Sequence, residues 1–474
     1  MSMWTDASII DWLKANELHQ ALNAYESGLR HLTRGQSESS TEPCHVWIHS
    51  PNPELWIGGA LASLRWGATT WFVPPNWKSG SLAQLARTVS PDWVVGGSGW
   101  ERMAMTGNRL REVGLGDLSL TQRLLIPTGG SSGRTKFAIH SQETVQAAVQ
   151  AVAQHFFGRP TEAGDFHYVH GLPLWHVSGW MQVMRSLCSG ASYGVEASAR
   201  SRWMRQPKGK WLSLVSTQLR RMLHEDEGLE QLRAADFVIL GGGPCPVDLM
   251  RCCLDAGIHP WLTYGMTETL GMIAANAICR EGDWDRGASV FSGTKVRIDT
   301  GDHSGTDSEE LAQGEILLQS QSLCDGYVRI DEQGVLQLER MCSSGWGTRD
   351  LGSVTRDGKL YVRGRMDDLI ITGGEKVNPR EVEQVLRSVP GVADCLVAGV
   401  PDLEWGQRVV CALVPMPDNE MRELSVLRRA LEQRLEAYKI PKTWKWVNAL
   451  PYDAKGKIPA SCLKELLSEV IANC

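Results

Sequence analysis

The sequence lacks an apolar run of about 18 residues, the length that a membrane-spanning helix requires, and its start lacks the features of a secretory signal. Its 12 cysteines include no C-x-x-C pair and no zinc-type spacing, which favours reduced thiols. Basic residues, 48 against 54 acidic ones, give a formal net charge of −6. That balance argues against nucleic-acid binding through bulk positive charge. We therefore expect a cytoplasmic protein with no membrane span and no nucleic-acid partner.

The 474 residues, 42% of them hydrophobic, are enough for two to four domains with large cores. Short apolar runs at 71–73, 93–95 and 237–240 end in proline or glycine, and amphipathic stretches lie between them. This alternation predicts an α/β fold with largely parallel sheets.

The pattern changes after residue 314. Strands are predicted at 314–320, 359–363 and 395–400, and Asn378-Pro379 is a typical helix start. A second helix is predicted from leucines at helical spacing, namely Leu424, Leu427, Leu431 and Leu435. We expect a smaller α+β domain at this end, with the domain boundary between residues 366 and 367.

The segment 128–136 reads Thr-Gly-Gly-Ser-Ser-Gly-Arg-Thr-Lys and follows an apolar run. Glycines allow close backbone approach, amides and hydroxyls donate to phosphate oxygens, and Lys136 adds a positive charge. The spacing differs from a Walker A loop, which has Lys directly after the last Gly. An ordinary flexible Gly/Ser turn is the alternative.

Four further motifs follow along the chain. In 264–268, Tyr264 can stack on a base and Glu268 can bind Mg²⁺, although a plain strand-to-loop turn has the same pattern. In 348–352, Asp350 can accept from a ribose diol or be a common turn aspartate. The last two are the polar segment 364–376 and the loop 451–459, in which Lys457 on its own would be read as a solvated surface group.

In order and spacing the five motifs resemble those of the adenylate-forming superfamily of acyl-CoA synthetases, non-ribosomal peptide adenylation domains and luciferases. The resemblance covers residues 40–460. It implies two α/β subdomains and a small β unit in an N-terminal adenylation domain, residues 1–366. A mobile α+β domain, residues 367–474, would carry the catalytic lysine. The implied reaction joins an acid to ATP as an acyl-adenylate, which a thiol, usually that of coenzyme A, then attacks.

The resemblance also implies a role for each matching residue. Glu268 would bind Mg²⁺, Lys457 would be the adenylation lysine, and Asp367 would be the hinge. Gly373 and Gly374 would line the thiol tunnel. ATP would contact Thr128, Ser131, Ser132, Gly133, Lys136, Gly242, Tyr264, Thr267, Asp350 and Arg365.

Three positions depart from the usual family pattern. Gly129 stands where the family usually has Ser, and Thr135 stands where it usually has Pro. Arg349 replaces the glycine of the usual T-G-D and brings a positive charge next to the ribose site. None of these changes removes an essential group.

The segment 173–179, P-L-W-H-V-S-G, resembles the P-L-F-H-x-S-G segment of o-succinylbenzoate–CoA ligases of menaquinone and phylloquinone biosynthesis. Their acid has a second carboxylate, which gives Arg185 a reason to be buried. We expect Trp175, His176, Arg185 and Gly265 at the acid, with His176 also catalytic.

Bland alternatives are a surface ion pair for Arg185 and a packed core histidine for His176. Alternative functions are another acyl- or aryl-CoA ligase, a stand-alone adenylation protein that loads a carrier-protein thiol, and a non-catalytic relative. The intact Glu268, Asp350 and Lys457 argue against the last of these. The oligomeric state is left open, a homodimer included.

Overall fold

The computed structural model describes residues 5–35, 44–77, 79–102, 120, 122–128, 136–195, 197–243, 245, 247–300, 313–330, 336–341, 345–416, 424–451 and 466. The α-helices are α1 (Asp6–Ala15), α2 (His19–Gly35), α3 (Pro53–Trp66), α4 (Ser79–Thr88), α5 (Gln142–Phe157), α6 (Val177–Ser189), α7 (Ala197–Met204), α8 (Ser216–Leu223), α9 (Asp226–Ala234), α10 (Val247–Asp255), α11 (Pro379–Arg387) and α12 (Leu424–Glu432). Short 3₁₀ helices span Thr267–Thr269, Asp283–Asp285, Met366–Asp368 and Ala437–Lys439. Within these described ranges, no helix combines the length and the apolar character that crossing a membrane requires.

The strands alternate with the helices through most of the chain. They are β1 (His45–Ile48), β2 (Thr69–Phe72), β3 (Trp93–Gly96), β4 (Gly99–Arg102), β5 (Leu124–Thr128), β6 (Lys136–His140), β7 (His167–Val169), β8 (Tyr193–Gly194), β9 (Lys210–Leu214), β10 (Phe237–Leu240), β11 (Trp261–Met266), β12 (Gly271–Ala277), β13 (Ala288–Val290), β14 (Thr294–Asp299), β15 (Gly314–Ser320), β16 (Gly326–Ile330), β17 (Leu336–Arg340), β18 (Trp346–Val354), β19 (Lys359–Arg365), β20 (Ile370–Thr372), β21 (Glu375–Val377), β22 (Val392–Asp402), β23 (Gly406–Pro415) and β24 (Thr443–Trp446).

The chain divides into two compact units. One comprises Met1–Lys295 with Leu318–Trp346, and the other comprises Val296–Leu317 with Gly347–Cys474. The boundary after residue 366 was predicted from the hinge that the family resemblance implies, and it stays a prediction.

The first unit contains a sheet in the order β17-β16-β6-β5-β2-β1-β3-β4. Its middle strands, β5 to β3, run parallel, and antiparallel hairpins close both edges. The central strands β1 and β2 are buried along their whole length, as expected for parallel strands covered on both faces.

A second set of strands in this unit has the order β13-β12-β11-β10-β9-β7-β8. From β11 to β8 the strands are parallel, whereas β12 and β13 are antiparallel. The chain has 19 tryptophans, and in the core of the first unit the Trp211 ring stacks on Phe237 with centroids 4.4 Å apart. Among the described residues, five tryptophans are fully buried, namely Trp56, Trp71, Trp180, Trp203 and Trp211.

The second unit holds most of β14 and β15 with β18 and β19, in the order β14-β15-β18-β19. It also holds a sheet in the order β21-β20-β23-β22, to which β24 adds beside β23. Helix α11 begins at Pro379 because the Asn378 side chain accepts from the Arg380 amide, as predicted.

Three sequence predictions in this unit need correction. Strand β19 continues beyond residue 363 and ends at Arg365. Strand β22 is longer than 395–400 because it pairs with β23 from Val392 to Asp402. Helix α12 ends at Glu432, so Leu435 lies beyond it. Leu435 nevertheless packs on the same core, which explains why it fits the helical spacing.

Candidate active site

The predicted phosphate segment begins and ends on neighbouring strands. Thr128 ends β5 and is paired with Lys136, which begins β6. Residues 129–135 between them, including Ser131, Ser132 and Gly133, lie outside the described residues. The Thr128 hydroxyl is buried and has no hydrogen-bond partner in the described part of the chain, so it is available to an oxygen-rich ligand.

The second motif lies on the β11–β12 hairpin. Strand β11 runs from Trp261 to Met266, and the turn that follows it is the 3₁₀ helix Thr267–Thr269. Gly265 is in close contact with the opposite strand, since a Cβ there would lie 2.0 Å from the Gly271 carbonyl oxygen. Only glycine fits this position, which holds the two arms of the hairpin together.

Glu268 is buried, and two groups of the first sheet converge on its Oε1. The Tyr327 hydroxyl of β16 donates to this oxygen at 2.7 Å, and the Lys136 ammonium lies 3.5 Å from it. The same ammonium lies 3.9 Å from the centroid of the Tyr327 ring. Burial, with the negative charge of Glu268, raises the pKa of Tyr327 well above its ordinary value, so the phenol remains a donor.

The buried side chain of His140 also contacts the Thr267–Thr269 turn. His140, on the same strand as Lys136, donates from Nε2 to the Thr267 carbonyl oxygen at 2.9 Å. Its complete burial lowers its pKa to about 3, so the ring is neutral at physiological pH. Sequence reasoning missed both His140 and Tyr327, because only the strand pairing brings them to Glu268.

Tyr264 lies near the loop that follows β10. The Thr263 hydroxyl donates to the Leu240 carbonyl at 3.1 Å, and a Cβ on Gly241 would lie 2.7 Å from that hydroxyl. Gly242 has a φ of 87°, a conformation that glycine adopts readily. The Gly-rich backbone therefore lies against β11 at the carboxyl ends of parallel strands, the edge where ligands bind in α/β sheets.

Arg185 on α6 is only 3% exposed, so the alternative interpretation of this residue as part of a surface ion pair is wrong. It has no ion pair with a carboxylate of the described residues, and its Nε has no hydrogen-bond partner there. Its Nη2 is 3.7 Å from where a Cβ on Gly271 would lie, so the guanidinium reaches the β11–β12 hairpin. The fully buried Tyr168 hydroxyl lies beside Arg185 and Ser213 but completes no hydrogen bond within the described chain.

Trp175 and His176 lie at the amino end of α6. His176 is the N-cap residue, and its carbonyl accepts from the amides of Gly179 and Trp180. It is half-buried rather than enclosed in the core, and the Trp175 ring packs against Trp56 with centroids 5.9 Å apart. Arg185 follows His176 by nine positions, which corresponds to about 13.5 Å along the helix axis.

In the second unit, Asp350 and Arg365 are cross-strand partners of β18 and β19. Arg365 Nη1 lies 3.3 Å from Asp350 Oδ1, and the Asp350 side chain is mostly buried. The Asp350 amide donates to the Thr348 hydroxyl at 3.0 Å. Arg349 has a φ of 64°, which is the left-handed conformation that the glycine of the usual motif would accept easily.

The remaining predicted residues are Asp367, Gly373, Gly374 and Lys457. Asp367 lies in the 3₁₀ helix that follows β19. The two glycines form the β20–β21 turn with φ values of 59° and 86°, and the Gly373 amide donates to the Trp405 carbonyl at 2.8 Å. Lys457 lies outside the described residues.

The sequence matches two family descriptions. Residues 122–328 match "AMP-binding enzyme", and residues 381–457 match "AMP-binding enzyme C-terminal domain". These ranges include Lys136, the β11–β12 hairpin, Arg185 and the segment that ends at Lys457.

Two relatives carry the same name, 2-succinylbenzoate–CoA ligase. The one from Geobacillus sp. (strain WCH70) is 32% identical over 63% of this chain and 61% of its own length. The one from Bacillus cereus (strain AH820) is 30% identical over 73% of this chain and 70% of its own length. The chain thus spans about three fifths of the length of the Geobacillus relative.

The fold is similar to that of ATP-bound MatB from Rhodopseudomonas palustris. The TM-score is 0.74 at 21% identity, over 95% of this chain and 93% of MatB. This similarity confirms the predicted α/β fold with a large N-terminal and a small C-terminal region. With the matched family ranges and the relative from Bacillus cereus, it shows that the chain belongs to the AMP-binding enzymes, the adenylate-forming superfamily that its motifs resemble.

Proposed function

We propose that this protein is an AMP-forming acid–CoA ligase that acts on o-succinylbenzoate. One carboxylate oxygen of the acid would attack the α-phosphorus of ATP, and the bond to the β-phosphate would break to release pyrophosphate. The thiol sulfur of coenzyme A would then attack the acyl carbon, and AMP would leave. The product would serve menaquinone or phylloquinone biosynthesis.

The observation that carries this proposal is the buried guanidinium of Arg185. Removing an ion from water costs several kcal/mol unless an opposite charge compensates it, and no described carboxylate does so here. An acid with a second carboxylate would supply the missing charge while its first carboxylate reacts. A monocarboxylic acid would leave Arg185 buried and uncompensated. The names of the two bacterial relatives support the same acid.

The surroundings of the predicted residues, namely their burial and their contacts within the protein, support their proposed roles in binding ATP. Lys136 offers an ammonium, and Thr128 offers a buried hydroxyl, beside the segment expected to bind phosphates. Tyr264 would stack on the adenine at the Gly241–Gly243 edge, and Thr267 would contact a phosphate. Asp350 would accept from the ribose hydroxyls, with its orientation set by Arg365. Phosphoryl transfer depends mainly on such positioning and charge neutralisation.

Glu268 fits a Mg²⁺ that arrives with ATP. The described residues contain no group of three or more metal-ligating side chains, so an ion held by protein alone is not expected there. Mg²⁺ characteristically uses one or two carboxylates together with phosphate oxygens and water. When bound, Mg²⁺ neutralises phosphate charge, while Glu268 holds the nucleotide complex in place and Thr267 lies next to it in the turn.

The roles proposed for the C-terminal region are those that the family resemblance implies. Residues 367–474 would rotate about Asp367 between the two half-reactions, bringing in Lys457 for adenylation. Gly373 and Gly374 would then line the path of the thiol. Their tight turn beside Trp405, where a Cβ on Gly373 would lie 2.9 Å from the indole, supports a backbone-lined passage.

The test is pyrophosphate release from ATP and Mg²⁺ with o-succinylbenzoate, benzoate, 4-coumarate, octanoate and several amino acids, with coenzyme A consumption followed in parallel. We expect release with o-succinylbenzoate, coupled to thioester formation. Release only with a monocarboxylate would overturn the substrate and keep the ligase chemistry. Release without consumption of coenzyme A would indicate a carrier-protein thiol as the acceptor.

A further inference from the structure

Strand register places Tyr327 and Lys136 on one face of the first sheet. Tyr327 is the direct partner of Ala138, and Arg329 is the partner of Lys136. Because side chains alternate between faces, Lys136 and Ala138 point to the same side as Tyr327. The small side chain of Ala138 leaves room for the phenol ring, and both residues are buried.

Tyr327 therefore contacts both charged groups of the nucleotide site. Its hydroxyl donates to Glu268 Oε1, and its ring face lies under the Lys136 ammonium. Lys136 also forms its ion pair with the same Oε1. Glu268 is thus held at Oε1 by both a hydrogen bond and an ion pair.

We propose that Tyr327 is the positioning residue of this site, holding Glu268 by Oε1 so that Oε2 faces Mg²⁺ and giving Lys136 a fixed place on its ring. This inference rests on the proposed binding of Mg²⁺ and ATP, but not on the identity of the acid.

The physical argument concerns the freedom of two long side chains. The terminal torsion of a glutamate is broad, so an unrestrained carboxylate exchanges its two oxygens. Lys136 would then compete with the metal for either oxygen. A neutral donor on Oε1 fixes the carboxylate without adding charge, and an aromatic face holds an ammonium without neutralising it. Both charges thus stay available to the nucleotide.

The experiment compares Tyr327→Phe with wild type in the full chain. ATP binding is measured by titration calorimetry in EDTA and again in Mg²⁺, and the Mg²⁺ concentration for half-maximal pyrophosphate release is determined. Phe keeps the ring under Lys136, so we expect ATP binding in EDTA to stay within about twofold. The gain in ATP affinity from Mg²⁺ should fall about tenfold, the effect of losing one hydrogen bond to a charged group. The Mg²⁺ requirement should rise by a similar factor.

Tyr25→Phe is the matched control. The Tyr25 hydroxyl also donates to a carboxylate, Asp6 Oδ1 at 2.6 Å, in the same unit and away from the nucleotide motifs. This variant should keep the Mg²⁺ dependence of wild type. Tyr327→Leu, which also removes the ring, should weaken ATP binding in EDTA as well.

An unchanged Mg²⁺ dependence in Tyr327→Phe would overturn the proposal, and so would an equal loss of ATP affinity with and without Mg²⁺. Wild-type protein that binds ATP but releases pyrophosphate with no acid in the panel would refute the proposed substrate only. Wild-type protein that binds no ATP would overturn both proposals.

Discussion

Two basic side chains of the first unit are held in opposite ways. Lys136 has a carboxylate 3.5 Å away and an aromatic face 3.9 Å away, so its charge is compensated before any ligand arrives. Arg185 is almost completely buried and has no carboxylate partner among the described residues. Both lie near the β11–β12 hairpin, Lys136 through Glu268 and Arg185 through Gly271.

The difference separates general chemistry from substrate choice. A compensated cation costs the folded protein little, and it can exchange its carboxylate for phosphate oxygens whichever acid is bound. An uncompensated buried cation is a cost that only a particular ligand relieves. We therefore expect Lys136 to serve every acid equally and Arg185 to select one with a second carboxylate.

Replacing the compensated cation should have the largest effect. In Lys136→Met, kcat/KM for pyrophosphate release should fall about 10²–10³-fold, because one preorganised contact to developing charge is lost. The loss should be the same for o-succinylbenzoate and for any monocarboxylate that wild type accepts. The exposed Lys295 gives the control Lys295→Met, which should keep wild-type rates. A loss confined to one acid would contradict the role given to Lys136.

Replacing the uncompensated cation should lower activity less and selectively. In Arg185→Met, kcat/KM for o-succinylbenzoate should fall about 10- to 100-fold, the effect of losing a charged hydrogen bond, while monocarboxylates are unaffected. Thermal unfolding should show a variant at least as stable as wild type, since the uncompensated charge is gone.

Arg159→Met provides the contrast for that stability measurement. Arg159 donates through two nitrogens to Asp165, which is only 3% exposed. Removing this arginine leaves a buried carboxylate unpaired, so its unfolding midpoint should fall while the acid preference stays unchanged. If Arg185→Met were destabilised as strongly as Arg159→Met, Arg185 would have an internal counter-ion.

Acid should destabilise the folded protein through two buried histidines. Burial lowers the pKa of His140 to about 3 and that of His45 to about 4, so both stay neutral when folded. The unfolded chain takes up these protons below about pH 6.5. Their contribution is therefore complete above that pH and is lost as pH falls toward 4, by about 2 kcal/mol for each histidine at pH 5. Urea unfolding at pH 7.5 and pH 5 measures the loss.

His140→Gln and His45→Gln should each reduce this pH dependence by about 2 kcal/mol. For each variant, the free energy of unfolding at pH 5 is compared with that of the same variant at pH 7.5. A loss of stability that is equal at both pH values therefore does not affect the result. Equal pH dependence in wild type and His140→Gln would mean that His140 is protonated in the folded protein.

The surroundings of Lys136 could be predicted from the sequence better than those of Arg185. Lys136 and Glu268 were expected at one nucleotide site because their motifs occur in the family order, and the structure gives them a direct contact. Tyr327 and His140 could not be predicted, because their roles depend on which residues of β6, β16 and the β11–β12 turn face each other. Arg185 is buried because α6 is buried on all sides from Gly179 to Leu187, and the sequence of this helix, which includes polar residues, left the surface alternative open.

The smallest expected change in stability concerns a third basic residue, Arg349. Its unfavourable contribution comes from its backbone conformation rather than from burial of its charge. It is exposed, and its φ of 64° is unfavourable for a residue with a Cβ. Arg349→Gly should therefore raise the free energy of unfolding by about 1 kcal/mol, less the extra freedom that glycine gives the unfolded chain. The Arg349 amide would still donate to Glu315 Oε1, so the turn next to Asp350 should be unchanged.

Arg349→Ala separates backbone from charge, because it removes the guanidinium and keeps the Cβ. Urea unfolding should show a gain for the glycine variant and none for the alanine variant. Equal gains would assign the cost to the charge, as for Arg185, rather than to the left-handed backbone. A higher KM for ATP in both variants, at unchanged stability of Arg349→Ala, would mean that this departure from the family glycine serves the nucleotide and is kept despite the strain.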